Sequence, residues 1–322
     1  QVLVIDDGSS DPLTLSILSR LPNSITLIQK PANAGVLDSL LIALEYIFSK
    51  YDHSIVLFLD GDDVWLPVKI SSVQLAFQSF PSSILVTHGY RVVNANGDPV
   101  AGYDDQTIRN HHLLSKISAY SSRSDQVKSD IASFRGVWLG SAFSIKCTKS
   151  EIEPFLDFVR YSNLLSLSHQ DQPLAAYLIA YFPARTFHLI DDVLFLYRQH
   201  GMNTSSSSRT LAKALFSIDR SIATLNLCIE IFTSRDCCAE EVVIDHRLLD
   251  ELLYYRSCYL RNYSKAVFLW FKLSSSLWTL KTTILELFRF LICLLSPTLF
   301  LVFKSFSLTS LNPYNKHKYA SF

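Results

Sequence analysis

Three carboxylates within four residues, Asp60, Asp62 and Asp63, end the apolar run of Ser54–Pro67, SIVLFLDGDDVWLP. Carboxylates this close repel one another, and a hard divalent cation with oxygen ligands, Mg²⁺ or Mn²⁺, is the simplest way to keep them ionised. A cation held there can grip a diphosphate. The other reading is a solvated acidic turn that caps the helix after Pro67. A second acidic group, Asp6-Asp7-Gly8-Ser9-Ser10-Asp11, follows the apolar run Val2–Ile5 and has the composition of a turn. A third acid, Asp171, stands in His169-Gln170-Asp171-Gln172-Pro173, where a carboxylate favours a helix N-terminus. The run Tyr197-Arg198-Gln199-His200-Gly201-Met202-Asn203-Thr204 is a further polar cluster with a cation and an imidazole.

These groups need elements to position them. Ile55–Leu59 reads as a short, fully buried strand, which sets Asp60, Asp62 and Asp63 at the sheet edge where open α/β sheets bind ligands. Val2–Ile5 and Ile25–Ile28 read as further strands. The helix between them has Pro12 near its first position and Leu13, Ile17, Leu18 and Leu21 on one face. Leu37, Leu40, Leu41, Leu44, Ile47 and Phe48 recur at helical spacing in a second helix. Strand, helix, strand, helix, strand predicts an α/β fold with a mostly parallel, Rossmann-like sheet. After Pro67 a helix runs to about Phe80, and Ile84–Val93 meets a hairpin turn at Asn94-Ala95-Asn96-Gly97-Asp98. The polar stretch 103–130 is expected to be a surface segment. Trp138–Ile145 returns to strand character, with Gly140 and Ser141 small enough for close approach of a ligand or of a packed helix. A helix over Leu174–Tyr181, a strand over Leu189–Leu196 and a helical pattern from Thr210 onward complete the reading, which divides the chain into 1–206 and a helical region 207–322.

A chain of 322 residues with 49% hydrophobic and 18% charged content suits a globular protein with some excess apolar surface. The formal charge is zero and no Lys/Arg stripe is interleaved with aromatics, which argues against a nucleic-acid partner. Cys147, Cys228, Cys237, Cys238, Cys258 and Cys293 form no metal-ligand spacing and read as reduced, mostly buried thiols. Reduced thiols fit a cytosolic setting, so a cytoplasmic location is expected, and no charged leader with a cleavage site is visible before the first strand.

VIDDGSSD at 4–11, the Asn33-x-Gly35 loop, FLDGDDVWLP at 58–67, the acid Asp171 and YRQHGMNTS at 197–205 occur in an order that resembles family-2, GT-A-fold glycosyltransferases. LDGDDVWLP and YRQHGxN are similar to bacterial enzymes that build surface polysaccharides, including rhamnosyltransferase-like members. The resemblance implies a nucleotide-diphosphate sugar as donor, a saccharide or lipid-linked saccharide as acceptor, and Mn²⁺ or Mg²⁺ as cofactor. It also implies that Asp7, with Asp6, contacts the donor's base and that Asn33 lies in the nucleotide-sugar loop. Asp60 would contact ribose or sugar. Asp62, supported by Asp63 and joined by His200, would hold the metal, and Arg198 would sit near the diphosphate. Asp171 matches the general base. Where many members carry an Arg after the Asn-x-Gly loop, this chain has Val36-Leu37-Asp38-Ser39-Leu40. An inverting transfer needs a base on the acceptor hydroxyl and a stabilised diphosphate leaving group.

Paired acids at strand ends also occur in phosphoacceptor receiver domains, but the DGDD cluster and the long remainder of the chain have no place there. A catalytically idle nucleotide-binding relative is the other alternative. In the resembling family a strand and helix precede the VIDDGS strand, so the expectation is that a strand belonging between it and the DGDD strand is missing here. Ile284–Phe303 is nearly long and apolar enough to span a membrane but contains Glu286, Arg289 and Pro297. An interfacial helix at the cytoplasmic face of a membrane is therefore expected, against the alternative of a helix buried on the catalytic domain.

Overall fold

The computed structural model describes residues 1–100, 140–166, 168–200, 210–234, 246–276 and 280–297. The polar stretch 103–130, Cys237, Cys238 and the segment 298–303 lie outside the described residues.

Strand β1 (Val2–Asp6) leads through α1 (Pro12–Leu18) into β2 (Ile25–Gln29), and the two strands pair in parallel with Asp6 opposite Gln29. Asp11 starts α1 by accepting the Thr14 N–H, and Pro12 occupies the first turn, where its missing N–H costs nothing. Helix α2 (Val36–Lys50) buries Leu37, Leu40, Leu41, Leu44 and Phe48, the face that its periodicity predicts. At about 1.5–3 kcal/mol per buried large apolar side chain, this face anchors the first half of the chain.

Next come β3 (His53–Leu57), the short β4 (Val64–Trp65), α3 (Lys69–Ser79) and β5 (Ser83–Asn94). After the 3₁₀ turn Gly140–Ala142 follow β6 (Ser144–Thr148), α4 (Lys149–Arg160), α5 (Asp171–Tyr181) and β7 (Thr186–Gln199). Five of these strands form one sheet in the order β3-β6-β5-β7-β4. Its long ladder, β5 with β7, is parallel, whereas β3–β6, β5–β6 and β4–β7 are antiparallel. The ladder slips register at His88 to Tyr90, opposite the exposed pair Asp191 and Asp192, where the strand cannot bury both side chains. The turn at Asn94–Asp98 is present, with Gly97 at φ 93 and Val93 bridged antiparallel to Pro99.

Three sequence expectations change. The run Ile55–Leu59 is not a fully buried central strand. The strand covers His53–Leu57 and among the described residues pairs with β6 alone, at one edge of the five-stranded sheet, so that Ile55 stays 42% and Leu59 45% exposed. The three acids consequently begin three residues beyond its end. Second, β1 and β2 form their own sheet, and among the described residues no ladder joins β1 to β3. The two strands start close together, since the Tyr51 hydroxyl donates to the Gln1 amide oxygen at 2.7 Å. Both lean on α2. Third, of the strand expected over Trp138–Ile145, Trp138 and Leu139 lie outside the described residues, and the described part is strand only from Ser144. Gly140-Ser141-Ala142 instead winds into a 3₁₀ turn, held where Lys69 Nζ donates to the Ser141 carbonyl.

The main core joins α2, α4, α5 and the strands to the distal half of α6 (Leu211–Thr233), through Leu227, Cys228, Ile231 and Phe232. A second core joins Ala214, Ile218 and Leu225 of the same helix to α7 (His246–Tyr259), α8 (Tyr263–Ser276) and α9 (Leu280–Leu295). Helix α6 therefore belongs to both, and the helical region is welded to the sheet domain rather than tethered to it. Cys147, Cys228, Cys258 and Cys293 are buried free thiols, as expected. No helix among the described residues is long and apolar enough to cross a membrane.

Candidate active site

The acids of the DGDD turn meet residues from four other elements. Asp60 N–H donates to Ser141 Oγ at 2.9 Å, and Gln170 Nε2 donates to Asp60 Oδ1 at 2.7 Å. These two bonds tie the turn after β3 to the 3₁₀ turn and to the start of α5. Asp63 is buried, and its Oδ1 accepts the Arg198 backbone N–H at 3.1 Å while Ser141 hydrogen-bonds the same carboxyl. Asp62 remains half-exposed, with Oδ2 3.1 Å from His200 Nε2 at the end of β7. Sequence reading thus names Asp60, Asp62, Asp63, Arg198 and His200 from separate motifs, and folding brings them to one place.

Asp171 is the first residue of α5, adjacent to Gln170, and its Oδ1 accepts the Gln172 N–H at 3.0 Å. Burial first, and then the charge of Asp60, raise its pKa from 3.8 to about 6, with the Gln172 N–H and Arg220 of α6 working against the rise. Burial also raises Asp60, opposed by Gln170, and brings Asp63 to about 6, opposed by Ser141. A crevice lined by Leu40, Phe58, Phe143 and Leu174 abuts Gln170 and Asp171 and supplies the apolar surroundings of Asp171. Gly140 is not a free approach to the backbone: a Cβ there would come within 3.0 Å of Gln170 Nε2. Its smallness serves close packing.

The other predicted residues sit at the ends of β1 and β2. Asp7 Oδ1 accepts the Ala34 N–H at 2.9 Å and its Oδ2 the Gly35 N–H at 3.0 Å, while Lys30 Nζ lies 2.6 Å from Oδ1. Lys30 bridges to Asp38 at 2.6 Å as well, and its side chain is buried. Asp6 is buried with Oδ1 on the Ser9 N–H at 3.1 Å and Oδ2 near Gln29 Nε2 at 3.3 Å, and the Ser9 bond holds its carboxyl below the ordinary value. Asn33 follows directly against the Gly8 turn, where a Cβ would meet the Asn33 nitrogen at 2.6 Å. Gly8 has φ 73, so only glycine fits on both counts. This clasp consumes both acids in holding the loop.

Several residues escape sequence reading. Lys69, in the first turn of α3, is fully buried over the Trp65 ring at 4.6 Å, and desolvation brings its pKa down from 10.5 to about 7 against the pull of Asp63 and Asp60. Nothing local distinguishes it from a solvated helix lysine. Gln170 could have been noticed as the neighbour of Asp171. The hydroxyl of Ser141 and the guanidinium of Arg220 carry no signal in the sequence.

A divalent cation is testable against this geometry. Among the described residues no group of three His, Cys, Asp or Glu side chains is arranged to hold a metal. Asp62 and His200 present two adjacent ligand atoms on an accessible side. That suits a cation completed by water and substrate phosphates, as Mg²⁺ sites commonly are. Asp63, buried on Arg198 and Ser141, can act on such a site only as a nearby charge.

No curated protein matches the chain. Residues 1–126, which carry both strand-end acid clusters, match the sequence model of Glycosyl transferase family 2, and the mixed α/β architecture is consistent with a GT-A fold.

Proposed function

We propose that the chain transfers a glycosyl group from a nucleotide-diphosphate sugar to a hydroxyl acceptor with inversion, aided by Mn²⁺ or Mg²⁺. The observation that carries this reading is the hydrogen bond from Gln170 to Asp60. It ties the DGDD turn, inside the matched segment, to the start of the helix bearing Asp171, which lies outside it.

In this reading Asp171 takes the acceptor's proton as the acceptor oxygen forms its bond to the anomeric carbon. The bond from that carbon to the diphosphate oxygen breaks, and the nucleoside diphosphate leaves with the electron pair. A base of pKa about 6 is ionised at neutral pH and still close enough to it to share a proton in the transition state. Asp60 orients the donor's ribose or sugar, with its own position set by Gln170 and Ser141. Asp62 and His200 would hold the cation, which when bound supplies positive charge to the departing diphosphate. Arg198 supports the same phosphates, and the Asp6–Asp7–Asn33 clasp shapes the loop against which the base would rest. The YRQHGMNTS run supports an acceptor in surface-polysaccharide synthesis, saccharide or lipid-linked, with work at the cytoplasmic face of a membrane.

The test is Asp171→Asn in the full chain, screened with nucleotide sugars for nucleoside diphosphate release and for donor binding. Donor binding should persist while acceptor-dependent transfer falls by roughly 10²-fold or more. Transfer at the parent rate would place the base elsewhere, and donor binding with no turnover in the parent would favour an idle nucleotide-binding protein.

A further inference from the structure

Helix α9 is built inside out. Its two charged residues with described side chains, Glu286 and Arg289, are buried and paired with each other, and Tyr255 donates its hydroxyl to Glu286 Oε1 at 3.4 Å. Cys293 is buried one turn beyond Arg289. The opposite side carries Ile284, Leu287, Phe288, Leu291, Leu294 and Leu295, between 42% and 78% exposed. At about 100° per residue these six fall within roughly a third of the helix circumference. They form a continuous apolar stripe about 17 Å long at ~1.5 Å per residue. On the neighbouring helix Phe268 and Phe271 are also exposed.

Water does not favour such a face, and large exposed apolar patches mark surfaces meant to be covered. The charge around it favours one cover over another. Residues 260–322 hold eight lysines and arginines against one acid, Glu286; Arg289 neutralises that acid inside the fold and Lys272 pairs with Asp250 at 2.7 Å, which still leaves a basic excess in this stretch of sequence. Lys265 is exposed on α8. A second copy of the chain would set this positive excess against itself. An anionic bilayer matches it, since basic residues beside an apolar stripe gain from the negative headgroup potential. The arrangement also removes the objection raised by the sequence: Glu286 and Arg289 need not enter the lipid, because they face the protein. Since no described helix can cross a bilayer, the stripe lies in the interface plane.

We propose that the outward face of α9, from Ile284 to Leu295, docks the protein on an anionic lipid surface. The stripe sinks into the headgroup boundary, and the basic excess of this stretch of sequence strengthens the attraction to anionic headgroups. The inference stands apart from sugar transfer and needs no donor or acceptor to test. Full-length protein is mixed with vesicles of phosphatidylcholine containing about a third phosphatidylglycerol, or with pure phosphatidylcholine vesicles, and floated on a density gradient. The protein should float with the anionic vesicles and much less with the neutral ones, more weakly at high salt. Phe288→Glu with Leu291→Glu should cut the floated fraction at least tenfold. Its circular dichroism and thermal transition should stay those of the parent, because both side chains already face outward. Flotation unaffected by the double substitution would overturn the proposal. So would failure of the parent to float; if it instead forms a dimer by analytical ultracentrifugation that the same substitutions dissociate, the face belongs to a second copy.

Discussion

Two acidic turns follow two strands in this chain, and they do opposite things with the same functional group. After β1, Asp6 and Asp7 have both oxygens engaged by backbone N–H groups, Gln29 and Lys30, and they close a loop. After β3, Asp60 and Asp63 have fewer donors than their burial demands, and Asp62 faces outward beside His200. Surplus hydrogen-bond donors make a carboxylate a structural part. A deficit leaves it with free energy to release when a ligand supplies the missing charge. The difference lies in what the rest of the fold delivers to each turn: the loop before α2 brings two N–H groups, from Ala34 and Gly35, and Lys30 a charge to the first, whereas α5 brings the second turn a further carboxylate in Asp171.

The contrast breaks most sharply under substitution at the second turn. Asp62→Ala should lower transfer by about 10²–10³-fold, the scale of losing an electrostatic group aimed at the leaving group. Its melting temperature should move little, because the side chain is half-exposed; steady-state rates with calorimetry on the same preparation read both. A large fall in melting temperature with proportionate activity would make Asp62 a structural acid like Asp7.

The first turn should behave the other way. Lys30→Met leaves Asp7 and Asp38 facing each other across a buried position, at a cost of about 2 kcal/mol in unfolding free energy. Turnover per folded molecule should hold within a fewfold. Urea denaturation gives the stability, and an unchanged midpoint would show that the clasp contributes nothing.

The smallest effect is in pH, and here Asp171, beside the second turn, and Asp6, in the first, carry opposite signs. Asp171 has a folded pKa of about 6, above its ordinary 3.8, so the folded chain holds this proton more tightly than the unfolded one. Its contribution to stability is lost as pH rises through 6 and fully present below 3.8. Asp6, with a lowered pKa, contributes above 3.8 and loses its contribution as pH falls through its folded value. Between pH 7 and 5, transfer measured at saturating Mg²⁺ should decline with an apparent pKa near 6, while the Asp171 contribution to stability, measured separately with a chelator present, increases. Asp171→Asn should remove that stability slope. A parent and variant with the same slope would refute the raised pKa.

Residue patterns make one side of this comparison more legible than the other. The buried face of α2 follows directly from Leu37, Leu40, Leu41, Leu44 and Phe48, because helical periodicity is a local property. The acids, Asp171 and His200 are visible as residue types. What each acid meets is not, because Ser141 and Gln170 lie 81 and 110 positions from Asp60. Ile55–Leu59 misleads for the same reason: an apolar, β-branched run reports what a strand would bury, not whether a second neighbour is there to bury it. Lys69 is the extreme case, a charge in a helix first turn that Trp65, Phe195 and the Ser141 carbonyl enclose from elsewhere in the chain.

The separate two-stranded sheet bears on how this molecule breathes. None of the residues of β1, α1 or β2 enters the main apolar core, and no residue of α1 is buried. The unit is held by its own short ladder, by contacts with α2 and by the Asp7–Lys30–Asp38 clasp. Few buried apolar contacts mean a low free energy of local opening, so its amides should exchange with solvent through sub-global unfolding that leaves the β5–β7 ladder closed. A ligand that bridged this unit to the DGDD turn would then be bound partly at the cost of quieting that opening, and protection of β1 against hydrogen exchange would report occupancy from the far side of the site.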